Sequence, residues 1–280
     1  MSLSEDSSRQ WGSTYRLVAS EKWKAKSAVM GRDATQALVE YAQPRPGMQI
    51  LDVASGTGEP AISLATAVES TGHVTALDLS QELLDIAAQR ARQRGLTNIA
   101  IQAADAQHLP FPDNSFDLGT SRFGVMFFAD TRRALQEMHR VLRPGARACF
   151  LAWGPIDQPY WASGMCTVHK LVGGSMLVPG SSDPFRFSQL GSLSAALGEA
   201  GFQDIKEETR VIPWDWPGSA EDAWEQQKAV STPFHPMLDR VREDQWPALN
   251  AEVVQAMQKF QCGDTIHFTA TVIFASGRKA

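Results

Sequence analysis

Leu51-Asp52-Val53-Ala54-Ser55-Gly56-Thr57-Gly58 is a short apolar run, broken by one Asp, that passes into glycines. Residues 49–54 have the length and composition of a buried strand, and Glu59 to Val68 continues with the spacing of a helix. A strand, a glycine turn and a helix in that order place backbone N–H groups and the helix N-terminus around one point. Glycine there lets a ligand approach the main chain closely. Asp78 follows twenty residues after Gly58, at the end of the next apolar run, His73 to Asp78. A carboxylate so placed can accept both ribose hydroxyls of an adenosine.

Outward from this unit the alternation continues. Ser80 to Arg94 reads as a helix with Ser80 as N-cap, 98–103 and 116–121 as strands, Thr131 to Leu142 as a helix closed by Arg143-Pro144-Gly145, and 146–153 as a strand. On the N-terminal side, 20–42 has one helical face. Strands alternating with helices predict a parallel sheet covered on both faces. After Gly154 the rhythm changes. A short helix near Met165 to Leu171, a helix over 193–200, a strand over 202–214, proline-interrupted helices over 219–260 and a β-rich run over 265–275 complete the chain. The last two strands are expected to pair as a hairpin-like edge.

The 280 residues are 43% hydrophobic and 20% charged, with a formal net charge of -5. That composition supports a full core and argues against a phosphate-backbone partner. Cys149, Cys166 and Cys262 are too few and too far apart for a disulfide framework or a structural zinc site, which fits a reducing cytoplasm. The polar first ten residues lack a signal peptide's apolar region, and no apolar run is long enough to span a membrane. H-E-x-x-H, paired cysteines and G-x-S-x-G are all missing, so neither a metal nor a serine nucleophile is expected.

Gly56-Thr57-Gly58-Glu59-Pro60-Ala61 also fits the dinucleotide pattern. A pyrophosphate there would face Asp52 and Glu59, and like charges repel. A ligand bearing an ammonium and a sulfonium suits an acidic mouth. At this point the chain resembles the class I S-adenosylmethionine (SAM)-dependent methyltransferases, within them the ubiquinone/menaquinone C-methyltransferase-like group. The resemblance is carried by Asp52 to Gly58, where Ala54 stands in place of the first glycine of D-x-G-x-G-x-G, and by Asp78 in Ala76-Leu77-Asp78-Leu79-Ser80. It continues through Ala104-Asp105-Ala106, Leu109 to Asp117, Ser121-Arg122-Phe123-Gly124 and Glu137 to Gly145.

The resemblance implies an α/β Rossmann-like fold with seven strands, the last antiparallel, and helices on both faces. It implies a helical lid over 1–45, a SAM-binding core over 46–154, a substrate cap over 155–264 that includes the sixth strand, and a last core strand over 265–280. SAM is the implied cofactor, held by Asp52, Ala54, Gly56, Gly58, Asp78, Leu79, Asp105, Ala106 and Ser121, with Tyr15 and Trp23 as lid candidates. The acceptor is expected to be a small apolar or aromatic molecule, because Trp161, Trp214, Trp216, Trp224 and Trp246 fall in the cap together with Met165, Met176 and Met237. Carbon, oxygen or nitrogen could receive the methyl group. His169 and His235 are candidates for a general base, with Tyr160 and Asp215 behind them, whereas His73, His108, His139 and His267 are expected to be solvated or structural. A SAM-binding module without catalysis and a nicotinamide-linked oxidoreductase are the competing readings.

Overall fold

The computed structural model describes residues 24–280, so Tyr15 and Trp23 lie outside the described residues. β1 (Gln49–Val53) ends in the glycine turn and sits near the middle of the sheet. On one side it pairs in parallel with β2 (His73–Asp78), which pairs with β3 (Ile99–Ala103); on the other it pairs with β4 (Phe116–Arg122), followed by β5 (Leu142–Trp153). The strand order therefore reverses between β1 and β4. A crevice opens at the carboxyl ends of strands on either side of such a switch.

Three further strands complete the sheet of eight, one more than expected. β8 (Thr265–Arg278) lies antiparallel between β5 and β6 (Gln203–Pro217), and the two-residue β7 (Gln261–Cys262) pairs with β8. The expected α/β architecture with an antiparallel last strand is present. The two long strands β6 and β8 pair at the margin of the sheet, as expected, with β6 outermost. Pro213 and Pro217 lie on β6, and proline, lacking an N–H, is confined to edges and bulges. β8 carries no proline and is buried on both faces from Val272 to Ser276.

Helices cover both faces. α1 (Lys24–Met30) and α2 (Arg32–Ala42) replace the single helix expected over 20–42, because the chain bends at Gly31. α3 (Ala61–Ala67) starts two residues later than expected, past Pro60. α4 (Gln81–Gln93) begins where Ser80 Oγ accepts from Leu83 N, and it buries Leu83, Leu84, Ala87 and Ala91 against the sheet. A cap of this kind contributes about 1 kcal/mol. α5 (Thr131–Val141) is capped the same way by Asp130. Arg143-Pro144-Gly145, expected as a turn, belongs to β5; a register irregularity opposite Phe116 and Leu118 accommodates the proline.

After β5 come α6 (Pro159–Ser163), α7 (Met165–Val172) and α8 (Ser192–Glu199). Between β6 and β7 lie α9 (Ala220–Val230), a 3₁₀ turn at Thr232–Phe234, α10 (His235–Leu238) and α11 (Trp246–Gln258). Lys26 on α1 pairs with Asp222 on α9, which ties the first described helix to this later group. No described helix is long and apolar enough to cross a membrane.

Candidate active site at the strand ends

One cavity of about 440 Å³ opens at the carboxyl ends of β1, β2, β3 and β4 and runs on beneath α6 and α9. Ala54, Gly56, Asp78, Leu79, Asp105 and Ala106 line it, so six of the sequence candidates converge on one space. Asp78 is held rigidly: Gly56 N donates to its Oδ2 (2.8 Å) and Ser80 N to its Oδ1 (3.0 Å). Each oxygen keeps a lone pair for a further donor. Asp105 is fixed by Gln107, whose backbone N (2.9 Å) and Nε2 (3.1 Å) donate to its Oδ1. Leu79, 52% exposed, offers an apolar surface between the two acids.

Three candidates lie elsewhere. Gly58 packs the turn rather than the cavity: a Cβ there would sit 2.7 Å from Ile62 Cδ1 and 3.2 Å from Ala87 Cβ. Ser121 is fully buried beneath Gly124. Asp52, expected at an acidic mouth, is fully buried under the crevice floor. Thr120 Oγ1 donates to its Oδ1 (2.7 Å), while its Oδ2 is buried without a partner. Burial pushes this carboxyl up to about 7.

The floor is strained where it meets the cavity. Ala54 (φ 59°) and Phe123 (φ 55°) both occupy the left-handed region, which costs a non-glycine residue about 1–2 kcal/mol. Gly124 sits against them: a Cβ there would lie 2.4 Å from Ala54 Cβ. Strain of this kind concentrates at ligand sites.

The far end of the cavity is aromatic. Phe123 stacks on Trp153, with centroids 4.6 Å apart and planes at 22°. Trp153 meets Trp214 (4.9 Å) and Trp161 (5.5 Å) edge to face, and Trp161 packs on Phe234 (5.6 Å). Of the five expected tryptophans only Trp161 and Trp214 reach the cavity. Trp216 and Trp224 are buried elsewhere, with Trp224 Nε1 donating to Asn250; Trp246, Met165, Met176 and Met237 are not in the wall either. Phe123, Trp153 and Phe234 take their places. Phe123 belongs to the Ser121-Arg122-Phe123-Gly124 segment, and Trp153 closes a core strand, ahead of the tryptophans that follow Gly154.

The two histidines expected to act as a base are also outside the wall. His169 Nε2 meets Gly174 O (2.8 Å) in an exposed turn, and His235 Nε2 meets Lys228 O (3.0 Å). Asp215 pairs with His267 Nδ1 (3.1 Å) on the paired β6 and β8. His139, expected on the surface, packs edge-on against Phe202 (5.0 Å), and burial holds its pKa below the usual imidazole range. Tyr160 alone among those candidates lines the cavity. Its hydroxyl donates to Gln226 Oε1 (3.2 Å), and burial pushes its pKa well up.

The wall suits a nucleoside ligand that carries positive charge. Glu59, Asp78 and Asp105 line it, Asp52 Oδ2 lies beneath with its hydrogen bonding unspent, and at Gly56 (φ 53°) nothing stands within 4 Å of where a Cβ would be. The ubiE/COQ5 methyltransferase family model matches residues 26–171, just over half of the chain. The chain belongs to this family. It is 35% identical over 176 residues to the ubiquinone/menaquinone biosynthesis C-methyltransferase UbiE of Bdellovibrio bacteriovorus, covering 61% of this chain and 73% of that protein. To the protein of that name from Brucella abortus it is 40% identical over 136 residues, 48% of this chain and 51% of the relative, so it spans about half of that relative's length. Among solved structures, the YcgJ protein of Bacillus subtilis superposes with a TM-score of 0.58 at 20% identity, over 88% of this chain and 97% of that one; this likeness concerns the fold alone. Membership makes the chain a SAM-dependent methyltransferase. The matched stretch contains every residue of the cofactor end but stops at 171, before Trp214, Gln226, Ser231 and Phe234.

Proposed function

We propose that this enzyme transfers the methyl group of SAM to a carbon or oxygen atom of a small, flat, largely apolar acceptor seated among Phe123, Trp153, Trp161, Trp214 and Phe234. The observation that carries this reading is the continuity of one cavity from Asp78 and Asp105 to that aromatic wall. SAM supplies a methyl group on a sulfonium, with a thioether as the leaving group. The chain's own part is to bind, align and keep the site dry. In this reading Asp78 accepts from the ribose hydroxyls, Leu79 and Ala106 flank the adenine, and Asp105 accepts from its amino group. The aromatic wall orients a planar acceptor and excludes water, and alignment of this kind contributes several kcal/mol to lowering a barrier. Among the described lining residues histidine is absent and the carboxylates all stand at the cofactor end. Polar contact with the acceptor falls to Tyr160, Gln226 and Ser231, together with the indole N–H groups of Trp161 and Trp214, which are buried without partners. The free thiols of Cys149, Cys166 and Cys262 are in keeping with action in a reducing cytoplasm.

The test is calorimetric titration of the protein and of Asp78→Ala with S-adenosylhomocysteine (SAH) and NADH. It is followed by a screen of phenols, hydroxyquinones and aliphatic amines with radiolabelled SAM. Two charge-assisted hydrogen bonds are lost in the variant, so SAH affinity should fall roughly 100-fold, and label should pass to the aromatic acceptors. Tighter binding of NADH than of SAH, or transfer only to polar aliphatic amines, would refute the reading.

A further inference from the structure

The described lining residues include three carboxylates and one cation, Arg122, at the end of β4. SAM carries two positive groups and one negative group, its α-carboxylate. We propose that Arg122 receives that carboxylate, which rests on the cofactor reading above and extends it to the amino-acid end of the ligand.

Position is the first argument. Asp78 ends β2, the glycine turn ends β1 and Arg122 ends β4, in that order across the sheet. Neighbouring strands lie about 4.8 Å apart, so Asp78 and Arg122 mark points separated by roughly 10 Å. An adenosine anchored at Asp78 and Asp105 has its remaining length to lay over the turn of β1 towards β4.

Hydrogen-bonding capacity is the second. Arg122 Nη1 donates to Gly31 O (2.9 Å) and Thr35 Oγ1 (2.8 Å), which fixes the side chain at the bend between α1 and α2. Among the described residues, Nη2 has no hydrogen-bond partner and the buried Nε has none either. Nε–H and Nη2–H together form one edge of the guanidinium, and that edge matches a carboxylate bidentately.

Charge is the third. Arg122 forms no ion pair with a described residue. Glu59 and Asp52 favour the charged guanidinium only at a distance, and Glu59 is itself bound to Ser63 and Arg94. A partly buried guanidinium without a direct ion pair is costly, and a ligand carboxylate in contact with it reduces that cost.

The experiment compares SAH, its decarboxylated analogue S-adenosyl-3-thiopropylamine and 5′-methylthioadenosine by calorimetry on the wild type, Arg122→Met and Arg122→Lys. The wild type should prefer SAH to the decarboxylated analogue by roughly 10- to 100-fold. Arg122→Met should bind the two alike while its affinity for 5′-methylthioadenosine stays within about 3-fold, and Arg122→Lys, with charge but no fork, should fall between. A preference retained in Arg122→Met would assign the guanidinium to another anion, such as an acceptor oxyanion, and overturn the proposal. Loss of 5′-methylthioadenosine binding in both variants would also overturn it, since Arg122 would then hold the pocket together. A wild type that binds none of the three would instead refute the cofactor reading itself.

Discussion

At one end of the cavity, Ala54, Gly56, Asp78, Leu79 and Asp105 all stand within three residues of a strand's carboxyl end. At the other, Phe123 follows β4, Trp153 closes β5, Trp161 rides on α6, Trp214 lies on β6 and Phe234 ends a 3₁₀ turn. The first end is a property of the backbone: strand termini and a tight turn create it, and side chains complete it. The second is a property of packing among five separate elements. The first lies wholly inside the stretch shared with the family, whereas the second draws Trp214 and Phe234 from beyond it. One half can therefore stay fixed for a constant cofactor while the other is rebuilt for a different acceptor.

If the halves are independent, damage to the aromatic end should cost stability and acceptor binding but leave the cofactor alone. Trp161 contacts Trp153, Tyr160, Phe185 and Phe234. Trp161→Ala should cost about 3–5 kcal/mol, lowering Tm by roughly 10 °C for a chain of this size. Its SAH affinity, measured well below the new Tm, should stay within about 3-fold of the wild type. A larger loss would mean the two ends share a structural unit, and the comparison would break there.

The cofactor end carries its own cost in stability. Asp52 has its carboxyl raised from 3.8 to about 7 by burial. Between those values the native state keeps a proton that the unfolded chain has released, so stability falls as pH rises from about 4 to 7 and levels off above. At 1.36 kcal/mol per unit, the loss amounts to roughly 4 kcal/mol at most. Asp52→Asn keeps the Thr120 contact and removes the titration. Denaturant unfolding of this variant should show a stability nearly flat across that window, equal to wild type near pH 4 and higher at pH 8. It should also bind SAM more weakly at pH 8, because a buried anion under a cationic ligand has gone. A variant that still loses stability from pH 4 to 7 would move the titration to another group.

The same contrast governs what the sequence could reveal. Strand ends are legible because a period-2 apolar run, a glycine turn and an acid at fixed distance are local signals, and Gly56, Asp78 and Asp105 line the cavity. Asp52 and Ser121 lie beneath the cavity rather than in its wall, since a residue's side of a strand end depends on the neighbouring strands. The aromatic end has no local signal. Trp214 and Trp216 are two residues apart on one strand, yet Trp214 faces the cavity and Trp216 does not. His169 and His235 have the chemistry of a base, but chemistry does not say where a short helix will point. The antiparallel pairing of β6 and β8 at the sheet margin was legible from their β-rich runs, and the prolines of β6 tell which of the two is outermost.

The smallest effect asked of the comparison concerns Ala54, where the family pattern has glycine. Its left-handed φ of 59° costs about 1–2 kcal/mol, while glycine would cost roughly 0.5–1 kcal/mol through the freedom it adds to the unfolded chain. Ala54→Gly should therefore stabilise by about 1 kcal/mol or less, a Tm rise of roughly 2–4 °C at most, with SAH affinity unchanged. Gly124→Ala is the opposite move, since its Cβ would lie 2.4 Å from Ala54 Cβ and 2.6 Å from Ser121 Oγ, and it should destabilise. Combining the two removes the first overlap and keeps the second, so the double variant should recover part of the loss. Strict additivity would mean that Ala54 and Gly124 do not press on one another. The cofactor end would then owe its shape to the strand termini alone, with no help from the packing that builds the other end.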